Sequence, residues 1–332
     1  MTKLISPYII AEIGINHEGK ISYIKKLIKQ AKEAGANAVK FQAFDPNTIA
    51  FKDLKKNELQ KKSLRKKENL SAMWKRVMLN KKKVKFIVKE AKKNSIDLIF
   101  SVFDDYSINL IKKVKIKAIK IASSDLNDYG LIKKVKKLKV PIIVSTGMAS
   151  YKEIRDMIKL CKIRPFLLHC VSIYPCPKKK ANLNRILGLK NKFKSLSIGY
   201  SDHTTGVDAS IIAITLGASV IEKHFTLNKN FKGADHLLSA DKNDLKVICD
   251  FKKNYHSYLG NNHIEPSTYE KSFRKYFRKS IYTKIPIKKG EIFSLSNLII
   301  RRPQGFLKPY EIKKIIGKKS KFNFKEGKPI KV

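Results

Sequence analysis

Short apolar runs rich in isoleucine and valine alternate along this chain with lysine-rich stretches of helical period. The runs are Tyr8–Gly14, Ala38–Ala43, Asp97–Phe103, Ala118–Ser124, Pro141–Thr146, Phe166–Ser172, Leu196–His203 and Val220–Thr226. Between them the apolar spacing predicts helices, for example over Ile21–Ala34, Lys81–Asn94, Tyr106–Val114, Tyr129–Leu138, Lys152–Cys161, Val207–Leu216 and Asp241–Leu259. Near-continuous apolar strands imply burial on both faces, as in a parallel sheet. Eight strand-helix units over about 250 residues match a (β/α)8 TIM barrel. A doubly wound open sheet is the competitor, weakened because no glycine-rich phosphate fingerprint follows the first run.

The rhythm breaks after Leu259, so residues 1–259 read as the barrel. Gly260–Ser267 carries Gly, Pro and two Asn, and 260–277 reads as a linker. Within 278–332 the pattern is β-rich. Ser280–Pro286 alternates like a strand, Lys288-Lys289-Gly290 reads as a turn and Leu298–Arg302 as a strand. Phe324–Lys331 reads as a further strand broken by Gly327. A domain of that size is marginal alone and needs something to pack on. Asp45–Asn80 is a long connection whose polarity predicts a partly helical excursion over the barrel mouth.

Composition changes this picture in one respect. The chain has 332 residues with 72 Lys+Arg against 27 Asp+Glu, a formal +45. That balance raises a polyanion partner, nucleic acid included. Only 9 of the basic residues are Arg against 63 Lys, and the lysines are spread over nearly every predicted helix. Recognition of phosphates and base edges recruits the planar arginine fork, so the lysines read as a solvated surface, and nucleic acid is not expected as the partner. No run approaches about 18 uncharged apolar residues, which excludes a spanning helix, and the N-terminus lacks a signal-peptide pattern. Cys161, Cys170, Cys176 and Cys249 form no CxxC pair and read as reduced thiols of a cytoplasmic protein.

In a barrel the chemistry sits at the C-terminal strand ends. Those ends carry Glu12, Lys40 with Gln42, Ser101, Lys120 with Ser123, Ser145, Ser172 with Tyr174, Ser201 with His203, and Glu222 with His224. Buried lysines and hydroxyls are costly without partners. Their convergence predicts a site for a phosphorylated or carboxylated anion. His203 and His224 end adjacent strands and can share a divalent metal, or can simply be hydrogen-bonded barrel histidines. Lys40 and Lys120 have a Schiff-base reading and an anion-clamp reading. Cys170 and Cys176 read as small buried hydrophobes. His17 is a substrate contact or a loop-orienting residue.

The segments IAEIGINHEG, VKFQ, KIASSDL, VSTGMAS, LLHCVSIYP, IGYSDHT, VIEKHFTL and GADHLLSAD, in that order, resemble the sialic acid (nonulosonic acid) synthase family. KSIYTKIPIKKGE, LIIRRPQG and IGKK resemble the antifreeze-like SAF (β-clip) domain that ends those proteins. The resemblance implies a domain-swapped homodimer and condensation of phosphoenolpyruvate with an N-acetylated hexosamine. The products are a nine-carbon 2-keto acid and phosphate. It implies a divalent metal, Mn(II) or Mg(II), on His203 and His224. Phosphoenolpyruvate would meet Lys40, Lys120, Ser123, Ser145 and Ser201, with Ser101 and Ser172 beside them. Glu12, Gln42, Tyr174, Glu222 and Asp235 would be sugar-contacting or catalytic, and Arg302 would reach the partner's sugar acyl group.

The resemblance argues against a Schiff base at either lysine, and it leaves open whether Glu12 or Glu222 handles protons. The sequence departs from the family pattern at Gln304 after Pro303, at Ser172 and in GADHLLSAD. These departures bear on the sugar, which stays open among neuraminate, legionaminate and pseudaminate precursors. Rival expectations are a synthase using a phosphorylated sugar, a non-catalytic basic nucleic-acid binder, and a sugar-binding SAF module.

Overall fold

The computed structural model describes residues 6–49 and 68–332. Eight strands close a parallel barrel in sequence order: β1 Tyr8–Gly14, β2 Ala38–Ala43, β3 Asp97–Val102, β4 Ala118–Ile121, β5 Ile142–Ser145, β6 Phe166–Cys170, β7 Ile198–Asp202 and β8 Val220–His224. β1 pairs with β8 from Tyr8 opposite Val220 to Glu12 opposite His224, which seals the ring. Helices α1 Ile21–Glu33, α2 Leu70–Val77, α3 Lys81–Lys93, α4 Asp105–Ile111, α5 Tyr129–Lys136 and α6 Tyr151–Cys161 follow in turn. Then come α7 Arg185–Lys192, α8 Asp208–Thr215 and α9 Lys242–Leu259.

Side-chain alternation sorts each strand into two roles. Outward residues such as Ile9, Ala11, Val39, Phe100, Val144 and Ile221 join the helices' apolar faces in the main core. Inward residues Ile10, Ala38, Ile99, Ala118, Ile143, Leu168 and Val220 plug the barrel's lower interior. The eighth inward position is Gly199. A Cβ there would collide with the Val220 carbonyl and a Leu168 methyl, so the plug closes only around glycine. Helix starts follow local chemistry. Ser150 accepts from the Glu153 amide at 3.2 Å while Glu153 accepts the Ser150 amide at 2.7 Å, a reciprocal cap on α6.

α2 lies within the expected excursion Asp45–Asn80, most of whose remainder falls outside the described residues. Leu70, Met73 and Val77 of α2 pack with Ile15 and Phe44.

A second compact unit begins at Asn261. The stretch expected as linker contains α10 Thr268–Phe277, started by a Ser267–Glu270 reciprocal cap. β9 Ser280–Thr283 and β10 Leu298–Arg301 pair antiparallel, Leu298 opposite Thr283 and Arg301 opposite Ser280. A short helix, α11, spans Ile312–Ile315. The expected strand over Phe324–Lys331 does not form. It meets β9 through an isolated bridge, Pro329 to Tyr282, and backbone bonds from Gly327 to Thr283, Thr283 to Lys328 and Ile330 to Ile281, while Phe324 bridges Ile287 outside the sheet. Gly327 at φ 70° turns the chain, and Pro329 has no amide to donate. Ile281, Phe293, Leu298, Ile315 and Ile330 form this unit's own core.

Candidate functional site

Two residues along each strand from the plug, the inward side chain is a different kind of residue. Ile10 gives way to Glu12, Ala38 to Lys40, Ile99 to Ser101 and Ala118 to Lys120. Ile143 gives way to Ser145, Leu168 to Cys170, Gly199 to Ser201 and Val220 to Glu222. With a side-chain period of two, this whole ring lies on the inner face one layer nearer the C-terminal ends. All eight residues line one cavity of about 780 Å³, with Gln42, Ser123, Tyr174, His203, His224 and Asp235 above them.

The floor is an ionic lattice. Lys40 Nζ lies 2.9 Å from Glu12 Oε2 and 3.7 Å from Glu222 Oε2, and donates to Ser101 Oγ at 2.8 Å. Gln42 donates to Glu12 Oε1 and Ser201 to Glu222 Oε1, each at 2.9 Å. Lys120 Nζ is 4.0 Å from Glu222 Oε1 and donates to the Ile121 carbonyl. Burial raises Glu12, Lys40 works against it and Glu222 adds to it, leaving the carboxyl above its ordinary range. Burial also works to raise Glu222, but Lys120 and Lys40 outweigh it and hold that carboxylate down. Burial lowers Lys120, whereas for Lys40 the two carboxylates more than offset it. The carboxyls are thus driven apart, one toward holding a proton and one toward staying ionised.

The imidazoles of His203 and His224 stand with ring centroids 5.4 Å apart. His203 Nδ1 is 2.8 Å from the Val171 carbonyl, which can only accept. That bond puts the proton on Nδ1 and leaves the Nε2 lone pair free. Burial, then His203 and Lys40, hold His224 well below the usual histidine range, so it is neutral. Its Nδ1 has no hydrogen bond and lies 3.6 Å from Asp235 Oδ2. Among the described residues, no three His, Cys, Asp or Glu gather closely enough to cage a metal. Burial works to lower His203, but Cys170 and the Val171 carbonyl outweigh it and raise that imidazole, so a divalent ion there would displace any proton on His203. With that proton gone the donors fit a divalent ion on two imidazoles with its other positions open, and do not fit a closed structural site.

A scan against family models matches residues 27–264 to the NeuB family and residues 278–331 to the SAF domain. The chain belongs to the NeuB family. It is 38% identical over 97% of its length, and 98% of the relative's, to the N,N'-diacetyllegionaminic acid synthase of Campylobacter jejuni. It is 34% identical to a pseudaminic acid synthase of the same species, over 98% of this chain and 95% of the other. The crystal structure of a Leptospira borgpetersenii N-acetylneuraminic acid synthetase aligns with a TM-score of 0.68 and 32% identity. It covers 80% of this chain and 89% of its own.

In this NeuB-family barrel two candidate residues of the first unit, Ser172 and His17, lie outside the cavity lining. Ser172 lies in the loop after β6 with its hydroxyl buried and unpartnered. It packs with Ser123 against Gly147, where a Cβ would collide with both hydroxyls. Ser123 donates nothing to that glycine but accepts its amide at 3.0 Å. Arg302 belongs to the second unit, where it is exposed with its guanidinium 5.7 Å from the Phe277 ring centre. His17 is fully buried and lies outside the lining. Its Nδ1 accepts the Gly19 amide at 3.0 Å, which makes it the loop-orienting residue.

Sequence reasoning missed several neighbours. Met73 and Trp74 of α2 and Phe231 give the cavity an apolar wall. Arg76 joins Glu18 and Glu68, and Glu18 Oε1 lies 3.4 Å from His236 Nε2. Asp202 and Lys223 form an ion pair with no exposure at all. The alternation of the SDHT and EKHF segments carries the signal for that pair, since the residue before each histidine must face away from the cavity.

Proposed function

We propose that this protein is a nonulosonic acid synthase. It joins phosphoenolpyruvate to the open-chain aldehyde of an N-acetylated hexosamine, giving a nine-carbon 2-keto acid and phosphate. The observation that carries this is the buried ring itself, where two lysines, three serines and two carboxyls meet a pair of neutral-capable imidazoles. Lys40 and Lys120, with Ser101, Ser123, Ser145 and Ser201, hold the carboxylate and phosphate of phosphoenolpyruvate. Gln42, Tyr174 and Asp235 orient the sugar. Orientation and preorganised charge then supply most of the rate.

The phosphoenolpyruvate methylene carbon bonds to the aldehyde carbon, whose oxygen becomes a hydroxyl. Positive charge develops at C2, water adds there, and the C2–O bond to phosphate breaks. Glu12, with its raised pKa, is the group that holds and moves the proton. Glu222 stays ionised, steadies both lysines and balances the charge at C2. A divalent ion, Mn(II) or Mg(II), held by His203 and His224 supplies Lewis acidity for the aldehyde when bound. Arg302, delivered within a homodimer to the partner's acceptor, completes the proposal for the SAF domain.

Phosphoenolpyruvate labelled with ¹⁸O in its bridging position tests the reaction type. The label is expected in phosphate, and chelation by EDTA is expected to stop release until Mn(II) is restored. Label retained in the organic product contradicts C–O cleavage.

A further inference from the structure

A fully buried charged pair outside the cavity is Asp202–Lys223, on the opposite side of the barrel wall from the histidines. The two residues face each other in the β7–β8 register, and each immediately precedes a histidine. Lys223 Nζ lies 3.1 Å from Asp202 Oδ2 and also donates to the Thr204 carbonyl. Asp202 Oδ1 accepts the Thr204 amide at 2.8 Å and the Thr204 hydroxyl at 2.9 Å. Its Oδ2 accepts the Ser210 hydroxyl at 2.7 Å, and Tyr200 approaches Oδ1 at 3.3 Å. The lattice therefore grips the backbone on both sides of His203, and from β8 through the residue next to His224.

A wholly buried ion pair is a poor way to gain stability, since well-packed apolar side chains of similar volume serve the fold as well or better. What it does supply is directional, charge-assisted restraint. We propose that Asp202 and Lys223 are positioning residues that set the spacing and tilt of the His203 and His224 imidazoles, and so the divalent-metal affinity of the site. The inference rests on the metal reading given under the proposed function. It says that two residues touching neither substrate nor metal decide how well the imidazole pair is preorganised.

The test uses the full chain and Mn(II) alone as the probe. Mn(II) affinity is measured by titration of the free-ion electron paramagnetic signal, beside thermal unfolding and steady-state kinetics. Two variants are made: D202N, and the charge-free double variant D202N/K223M, which keeps the fold testable if an unpaired lysine unfolds the single one. The double variant is expected to unfold near the wild-type temperature yet bind Mn(II) about 10- to 100-fold more weakly. At saturating Mn(II) its kcat is expected to fall while KM for phosphoenolpyruvate stays within about twofold, because Lys40 and Lys120 are untouched. Wild-type Mn(II) affinity and kcat in the double variant would overturn the inference while leaving the metal reading intact. A wild-type protein that binds no Mn(II) would overturn both.

Discussion

At the scale of the residue, burial decides which ionisable groups have chemical character. Lys40 sits between Glu12 and Glu222, where its charge is offset by two carboxyls, and that arrangement makes a buried lysine tolerable in a barrel strand. His17 shows the same physics without a partner charge. Burial first, then Lys83 and Arg76, hold its pKa down to about 3 from the ordinary 6.5. Folding therefore favours the neutral ring. Above pH 6.5 the group is neutral in both states and contributes nothing to pH dependence. Between 6.5 and 3 only the unfolded chain binds the proton, so stability falls as pH is lowered, by roughly 1.4 kcal/mol per unit. Urea unfolding of wild type and His17→Gln at pH 7 and pH 4.5 checks this. The variant is expected to lose roughly 2–3 kcal/mol less than wild type across that interval. Equal losses would mean that His17 accepts a proton in the folded protein.

At the scale of the element, the strands were legible because their signal is periodic and local. An apolar run with alternate inward residues reads as a buried parallel strand wherever it occurs, and all eight lie where the runs predicted. Helix α10 was not, since its apolar face is exposed and the polar residues before it, with Gly260 and Pro266 among them, read as a linker. Its one local mark, Ser267 three residues before Glu270, is a capping box. The expected Phe324–Lys331 strand failed for a different reason, because Gly327 turns the chain and Pro329 has no amide to give a ladder.

Helix α2 carries the cavity's apolar wall and is tied down by Arg76, which reaches Glu68 on its own segment and Glu18 in the loop after β1. Arg76→Leu keeps much of the packing and removes the tie. It is expected to speed amide exchange across Leu70–Val77 and to raise KM for the acceptor several-fold, with a smaller change in kcat. Unchanged exchange and KM would show that the helix is held by Leu70, Met73 and Val77 alone.

At the scale of the whole molecule, the barrel does what no single segment does. It brings Glu12 and Glu222 from opposite ends of a stretch of over 200 residues onto one floor, because β1 and β8 seal the ring. The residue set of the cavity was readable from strand-end positions once the barrel was assumed. The Asp202–Lys223 lattice and the Arg76 tie were not read, because both depend on pairing between segments rather than on pattern within one. The +45 charge tells little about chemistry by comparison. Its lysines dress the helices, while the cavity balances its own cations with carboxylates.

The central claim is that this ring couples phosphoenolpyruvate to an N-acetylated amino sugar. Its most direct test is acceptor-dependent phosphate release with Mn(II), with the organic product weighed by mass spectrometry. N-acetylmannosamine, the diacetamido-trideoxyhexoses and arabinose 5-phosphate serve as acceptors, with His203→Ala as the control. Release with an N-acetylated sugar alone, a product mass of acceptor plus pyruvate, and a loss of at least about 100-fold in His203→Ala are the predicted results. Release only with arabinose 5-phosphate, or none from folded, metal-loaded protein, would contradict the claim.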